Sequence, residues 1–372
     1  MTKILDETFT LAVTDWYLTN KRDLPWRQDK DPYHVWISEI MLQQTRVEAV
    51  RGYYLCWMET LPDIHSLAEA DEEQLLKLWQ GLGYYNRVRN LQTAARQIEG
   101  QYGGQFPTEY GKIRSLKGIG DYTAGAISSI AFNQQTPAVD GNVLRVMSRI
   151  NADYSDIKSA ATKRKVTEQL AELYPKEGCG DFTQGLIELG AVVCVPNGRP
   201  QCEACPVAAW CQACEQGIQL QLPVKAAKKA RRMEERTVFI LTCGDLEQGG
   251  AVAVRKRPED GLLANLCEFP NLPAEMTADQ ALRQAEDWGC RPTGLTRSVK
   301  FKHIFSHVEW HMTGYYITCA ECGQPLGAVQ VTDGDTPAAD QEPFRWVTAE
   351  EMEKDVPLPS AFQYFLDVST TE

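Results

Sequence analysis

The spacing of the apolar residues changes once along this chain, and that change limits what it can fold into. Up to about residue 222, apolar side chains recur at helical intervals. The pattern predicts helices over 8–18, 31–57, 64–78, 87–102, 113–115, 121–132, 142–150, 160–173 and 182–194. From residue 237 the period is two, in Thr237-Val-Phe-Ile-Leu-Thr-Cys243, Gly250-Ala-Val-Ala-Val-Arg255 and His311-Met-Thr-Gly-Tyr-Tyr-Ile-Thr-Cys319, with helices at 279–288 and 359–366. Between them, 223–236 is a charged connector with few large apolar residues. The reading is an all-α domain over 1–222, a linker over 223–236 and an α+β domain over 237–372. The length of 372 residues suits two domains, and 43% hydrophobic content suits folded cores.

Charge divides the same way. Residues 1–232 carry 27 Lys+Arg and 27 Asp+Glu, whereas 233–372 carry 11 and 23, which accounts for the whole net charge of −12. A nucleic-acid partner would therefore be held by local basic and backbone contacts, not by a general positive field. No apolar run approaches the ~20 residues of a membrane span. The acids Asp6, Glu7 and Asp15 do not fit a secretory leader, so a cytoplasmic, nucleoid-associated monomer is expected.

The stretch 116–143 holds the first chemical signal. Gly118 and Gly120 in Leu116-Lys-Gly-Ile-Gly-Asp121 suit a hairpin (113–133 with its flanking helices) that ends at a helix N-terminus, an anion site fit for one backbone phosphate. Twenty residues on, Asp140 lies in an apolar Ala-Val-Asp-Gly-Asn-Val setting, after Pro137 is read as ending the helix. An ordinary helical turn with a loop aspartate is the competing reading. In Val35-Trp-Ile-Ser-Glu-Ile-Met-Leu-Gln-Gln-Thr-Arg-Val47, a helix would place Glu39, Gln43 and Arg46 on one stripe beside the apolar Trp36, Ile40 and Val47. Apolar surroundings raise a glutamate toward the neutral range that a general acid needs; an exposed helical glutamate is the alternative.

Twelve cysteines in a chain expected in the cytoplasm point away from disulfides. Five of them, Cys194, Cys202, Cys205, Cys211 and Cys214, fall within 21 residues, as a metal site would. Cys56, Cys179, Cys243, Cys267, Cys290, Cys319 and Cys322 are scattered.

The motifs Ser-Glu39-Ile-Met-Leu-Gln-Gln-Thr-Arg-Val, Gly81-Leu-Gly-Tyr-Tyr-Asn-Arg87, Leu116-Lys-Gly-Ile-Gly-Asp-Tyr-Thr-Ala and Val139-Asp-Gly-Asn-Val143 resemble the MutY family of adenine DNA glycosylases. That family belongs to the helix–hairpin–helix glycosylases, and the match runs in order over nearly the whole chain. The resemblance implies an all-α helix–hairpin–helix domain with an iron–sulfur loop (194–211), followed by a Nudix-like domain. It implies base-excision repair of duplex DNA carrying an adenine·8-oxoguanine or adenine·guanine mispair, with adenine flipped out before its glycosidic bond is hydrolysed.

By position in the motifs, Glu39 would protonate the adenine at N7. Asp140 would stabilise the oxocarbenium-like sugar or form a transient adduct with it. Tyr122 and Asn142 would hold these groups by hydrogen bonds. Gln44 and Tyr84 match residues that wedge into the duplex, and Arg22, Leu24 and Trp26 match a segment lining the base pocket. Gly118 and Gly120 would take the phosphate, with Lys117 beside them. The sister endonuclease III family has a Schiff-base lysine where this chain has Tyr122, so a monofunctional glycosylase is implied.

Cys194, Cys202, Cys205 and Cys211 resemble the ligands of the family's [4Fe–4S] cluster, with seven residues between the first two where the family usually has six, and with Cys214 as a ligand if the loop has slipped. The segment 257–271 looks like the opening of a Nudix fold. The stretch Ala281-Leu-Arg-Gln-Ala-Glu-Asp-Trp-Gly289 lacks the paired glutamates of a Nudix hydrolase, so this domain is read as a lesion reader. Phe305, Ser306 and His307 match the loop that recognises 8-oxoguanine. Three rivals remain: endonuclease III-like action on oxidised pyrimidines, a Nudix nucleotide hydrolase, and an iron–sulfur redox carrier.

Overall fold

The computed structural model describes residues 4–226, 230–259, 261–320 and 344–367. Cys322, the connector residues 227–229 and Asp260 of the Nudix-like opening lie outside these. The chain forms two compact units: Met1–Ala70 with Asn86–Lys228, and Asp71–Tyr85 with Lys229–Glu372. Among the described residues no helix is long and apolar enough to cross a membrane.

The first unit is helical: α1 (Glu7–Asn20), α2 (Pro32–Met41), α3 (Val47–Thr60) and α4 (Ile64–Glu69). After α5 (Glu72–Leu78), which groups with the second unit, come α6 (Asn86–Tyr102), α7 (Tyr110–Ser115), α8 (Asp121–Phe132), α9 (Gly141–Ile150), α10 (Ala160–Ala171), α11 (Cys179–Val192) and the single turn α12 (Gln212–Glu215). Short polar residues start many of them. Asp6, Asp31, Asp63, Asp71, Asp140 and Ser159 each accept a hydrogen bond from a first-turn N–H, and Pro32 opens α2, where no donor is needed. Helix α11 runs through the core because glycines let its backbone come close. A Cβ at Gly185 would stand 2.9 Å from Val13 on α1, and one at Gly190 would stand 2.6 Å from Asn142 on α9. Phe9, Val13, Val143, Met147, Phe182, Leu186 and Leu189 fill the space between these helices.

Two expected helices are interrupted. The pattern read as one helix over 31–57 breaks at 42–46, where Gln44 takes a left-handed φ of 62°. The physical cause is Arg87, whose Nη1 donates to the carbonyls of Ile40 (2.7 Å), Met41 (3.1 Å) and Gln43 (2.8 Å), taking up carbonyls that a continuing helix would have used. Gln43 and Arg46 thus lie beyond the end of α2, and the expected stripe with Glu39 does not exist. The pattern over 64–78 breaks because Asp71 caps a new helix, accepting from Glu73 N at 2.9 Å. Helix α8 is stopped not by Pro137 but by Asn133, at a left-handed φ of 51°.

The second unit has a mixed sheet. Strand β1 (Arg232–Cys243) pairs with β2 (Ala251–Lys256), with the short β4 (Asn271–Leu272) and, in parallel over its whole length, with β6 (Val308–Cys319). The short β3 (Cys267–Glu268) and β7 (Arg345–Thr348) flank β2, and β5 (Pro292–Ile304) lies antiparallel to β6. Helix α13 (Ala278–Asp287) covers one face through Ala281 and Ala285. Helices α14 (Ala349–Lys354) and α15 (Ser360–Asp367) cover the other through Met352, Phe362 and Phe365. The order of an all-α part followed by an α+β part holds, but the expected domain bounds differ: Asp71–Tyr85, read as part of the 1–222 domain, groups with the second unit. The last five connector residues, 232–236, belong to β1 because residues 308–312 of β6 pair with them in parallel register. Strand β5, like the short β3, β4 and β7, has no counterpart among the expected strands; its exposed residues are mostly polar and the alternating ones only half-buried.

Candidate active site

Glu39 lies near the end of α2, half-buried, where Tyr122 from the first turn of α8 donates its hydroxyl to Oε2 at 2.6 Å. Burial pushes its carboxyl up to about 7, helped by the negative charge of Asp140 and opposed by the Tyr122 hydrogen bond and by Arg27. With Oε2 accepting from Tyr122, Oε1 is the oxygen left to carry the acidic proton. The same surroundings raise the Tyr122 phenol well above its ordinary range, so it acts as a donor and not as a base.

Asp140 caps α9. One oxygen accepts from Asn142 N and Val143 N (both 2.8 Å) and the other from Asn142 Nδ2 (2.7 Å). Desolvation raises its pKa, while these three donors and the Arg145 charge resist the rise. Gly125 makes this placement possible: a Cβ there would stand 2.3 Å from the Pro137 carbonyl, so α8 can lie against the loop that leads to Asp140 only without a side chain. Two carboxylates within each other's field, one raised to about 7, are the arrangement that divides acid and stabiliser roles.

A second cluster, missed in the sequence, adjoins it. Glu188 on α11 is fully buried and binds Arg22 through Nε (2.8 Å), Nη2 (2.9 Å) and backbone N (3.1 Å), and Arg27 through Nη2 (2.9 Å). Burial pushes this carboxyl up, but the hydrogen bonds from Arg22 and Arg27 outweigh it and hold it at about 2. The only local hint is a glutamate inside the apolar run Leu186-Ile-Glu-Leu-Gly190. Leu24 and Trp26, expected to line a pocket, are buried, and Trp26 packs edge-on against Tyr54 at 5.5 Å.

At the hairpin, Gly118 has a φ of 78° and a Cβ there would stand 2.6 Å from Asn90, so both torsion and space require glycine. Ile119 is buried and anchors the turn, while Gly118 and Gly120 are exposed at the start of α8, which no side chain caps. Gln44 is likewise exposed on its strained backbone. Non-glycine residues in the left-handed region cost about 1–2 kcal/mol and collect at functional positions.

After α11 the chain loops so that Cys194, Cys202, Cys205, Cys211 and also Cys214 line one cavity. Arg149 Nη1 donates to Cys194 Sγ at 3.1 Å. Among the described residues no three such side chains converge as a single ion would require. A polynuclear cluster, in which each thiolate goes to a different iron, asks for spread sulfurs, and the donor set here is all thiol with no histidine. The loop is tied to the acid site. Arg145 bonds Asn142 Oδ1 (2.8 Å), Gly190 O (2.7 Å) and Cys194 O (2.8 Å), so a line of hydrogen bonds runs Asp140–Asn142–Arg145–Cys194.

In the second unit, Phe305, Ser306 and His307 form the turn between β5 and β6, with Phe305 N bonded to Val308 O at 2.9 Å and the Phe305 ring edge-on to Trp310 at 4.8 Å. Ser306 and His307 are exposed. Tyr84, also left-handed (φ 51°), meets this turn within the same unit, its Oη 3.1 Å from Ser306 Oγ.

Residues 37–176 match the family of HhH-GPD superfamily base excision DNA repair proteins, and 241–368 match the NUDIX domain. The adenine DNA glycosylase of Homo sapiens is 36% identical over 400 residues, covering 92% of this chain and 70% of its own. That of Schizosaccharomyces pombe is 32% identical over 374 residues, covering 83% and 81%. The chain belongs to the adenine DNA glycosylase family. Adenine DNA glycosylase of Arabidopsis thaliana is 40% identical over 349 residues; the match covers 80% of this chain but only 55% of the plant protein. Of solved structures, a thermostable thymine-DNA glycosylase superposes with a TM-score of 0.51 at 29% identity, over 56% of this chain and 95% of that one. Family membership makes the chain a DNA N-glycosylase of base-excision repair, with the Glu39–Tyr122–Asp140 arrangement inside the matched helical segment.

Proposed function

We propose that this protein removes adenine paired with 8-oxoguanine or guanine from duplex DNA, as a monofunctional glycosylase. The observation that carries this reading is the pair of unlike carboxylates, Glu39 raised to about 7 by burial and Asp140 clamped by three donors. With the adenine flipped out, the proton on the free oxygen of Glu39 passes to N7. The C1′–N9 bond then breaks with its electron pair going to the base. The sugar becomes oxocarbenium-like, and the ionised Asp140, kept in place by Asn142, offsets the positive charge. Water adds at C1′ and loses a proton, leaving free adenine and an abasic site.

Tyr122 carries no amine, so no Schiff base forms there and the strand stays intact. Gly118, Gly120 and the uncapped start of α8 suit a backbone phosphate. Arg22, Leu24 and Trp26 are assigned to the base pocket, and Gln44 and Tyr84 to the gap the base leaves. Ser306, flanked by Phe305 and His307, is assigned to the N7–H and O8 edge of 8-oxoguanine, which a hydroxyl can meet as acceptor or donor. Cys194, Cys202, Cys205 and Cys211 are assigned as thiolate ligands of a [4Fe–4S] cluster that, when bound, cross-links the loop bearing Arg199. Asn142, Arg145 and Arg149 then hold that loop to the acid site.

The test is a duplex with one 8-oxoguanine·adenine pair, scored for base release with and without later alkali. Strand breaks only after alkali support the reading. Breaks without alkali remove the monofunctional assignment, and no release from a cluster-loaded protein removes the catalytic one.

A further inference from the structure

Arg87, the second residue of α6, is half-buried and turns Nη1 onto the carbonyls of Ile40 (2.7 Å), Met41 (3.1 Å) and Gln43 (2.8 Å). Ile40 directly follows the acid Glu39, and Gln43 directly precedes the left-handed Gln44. A cation on these carbonyls fixes both the end of the helix that bears the acid and the turn that bears one wedge residue. Gln43 also meets the first turn of α8, where its Nε2 donates to Thr123 Oγ1 at 3.4 Å, beside the Tyr122 that donates to Glu39. Three residues before Arg87 stands Tyr84, the other wedge residue, with its Oη 3.1 Å from Ser306 Oγ. Only the buried Tyr85 and Asn86, the first residue of α6, lie between Tyr84 and Arg87. The Ser306 hydroxyl has a single proton to share between Tyr84 and a purine edge. The N7 of guanine takes that proton, so Tyr84 can then only donate to Ser306. The N7–H of 8-oxoguanine donates to Ser306 instead, so Tyr84 can accept from it. The base opposite the adenine thus changes the bond at one end of a path only three residues long, and the carbonyls beside Glu39 are at the other end.

We propose that Arg87 is a positioning residue that passes the state of Tyr84 to α2, so that the base opposite the adenine sets how well Glu39 is placed. The inference rests on the reading of Ser306 and Tyr84 as lesion-side residues. A small displacement is enough for it, because about 1 Å of misplacement can cost about a hundredfold in rate. Lesion preference then shows in the speed of base release as well as in the strength of binding.

The experiment is a double-mutant cycle on the full-length protein. Single-turnover base release is measured for wild type, Ser306→Ala, Arg87→Gln and the double variant, on 8-oxoguanine·adenine and guanine·adenine duplexes. Binding is measured in parallel on 8-oxoguanine duplexes with an uncleavable adenine analogue. Arg87→Gln should narrow the rate preference for 8-oxoguanine by about two- to tenfold, as Ser306→Ala does, while its binding stays within about twofold of wild type. In the Arg87→Gln background, Ser306→Ala should narrow the rate preference no further. A merely structural role would slow both substrates alike and leave Ser306→Ala its full effect, and that outcome overturns the proposal. A Ser306→Ala protein with the wild-type preference removes the lesion reading itself, and the proposal with it. Should Arg87→Gln fail to fold, Arg87→Lys decides, because it keeps the cation on a shorter side chain without the guanidinium fork. Its rate preference should also narrow, and a preference equal to wild type overturns the proposal.

Discussion

Replacing Glu39 by glutamine should destroy base release and at the same time stabilise the fold, by an amount that depends on pH. An unfolded glutamate titrates near 4.5, whereas burial raises this one to about 7. A folded value above the unfolded one means that stability is complete while both forms are protonated. It is lost as pH climbs from 4.5 to about 7, and the loss is constant above that. At about 1.36 kcal/mol per pH unit the ceiling is roughly 3.4 kcal/mol. The side chain remains partly open to solvent, and screening reduces the expected effect to about 1.5–3 kcal/mol. Glutamine keeps the shape and still accepts the Tyr122 hydrogen bond through its amide oxygen, but has no charge to desolvate. For a unit of this size, Tm should rise by about 3–12 °C at about pH 8 and hardly at all at about pH 4.5. Thermal melts of both proteins at the two pH values, followed by helical circular dichroism, measure this. In parallel, single-turnover base release by wild type should fall as pH rises through about 7, as the acid is lost. An equal Tm difference at both pH values, or a rate indifferent to that range, refutes the claim that burial makes Glu39 an acid.

Other substitutions test the surrounding structure. Arg145→Gln removes charge-assisted hydrogen bonds to Asn142, Gly190 and Cys194; the helical unit should lose at least about 1.5–3 kcal/mol, and base release should slow more than DNA binding weakens, as a filter-binding assay run beside the kinetics would show. Gly125→Ala drives a methyl group to 2.3 Å from the Pro137 carbonyl. It should cost about 1–3 kcal/mol in thermal stability and lower the base-release rate by displacing Asp140, whereas Gly111→Ala, with open space around its Cβ, should change neither. Ser306→Ala removes the hydroxyl that meets Tyr84 at 3.1 Å. The preference for 8-oxoguanine·adenine over guanine·adenine substrates should narrow by about two- to tenfold, and unchanged discrimination in competition assays would remove Ser306 from lesion reading.

Local pattern was enough for the broad architecture. The switch from helical to alternating spacing near residue 236 separates the two kinds of structure, and Asp6, Asp31, Asp63 and Asp71 stand where helices start because a short carboxylate satisfies first-turn donors wherever it falls. Motifs a few residues long also marked Glu39, Tyr122, Asp140, Asn142 and the cysteine loop. What lay beyond sequence pattern were effects whose causes come from distant parts of the chain. The break after α2 depends on Arg87, more than 40 residues away, so no propensity near Leu42 announces it. Glu188 reads as an ordinary helical residue until Arg22 and Arg27, from the other end of the unit, close on it. The acidity of Glu39 was legible only as an option, since helical spacing names the face but not how far water is excluded from it. Tertiary packing decides that: α8 delivers Tyr122 to within 2.6 Å of the carboxylate, and desolvation by the elements around it sets the proton affinity. Short-range order follows from neighbouring residues, whereas desolvation and long-range ion pairing exist only once the chain has closed on itself.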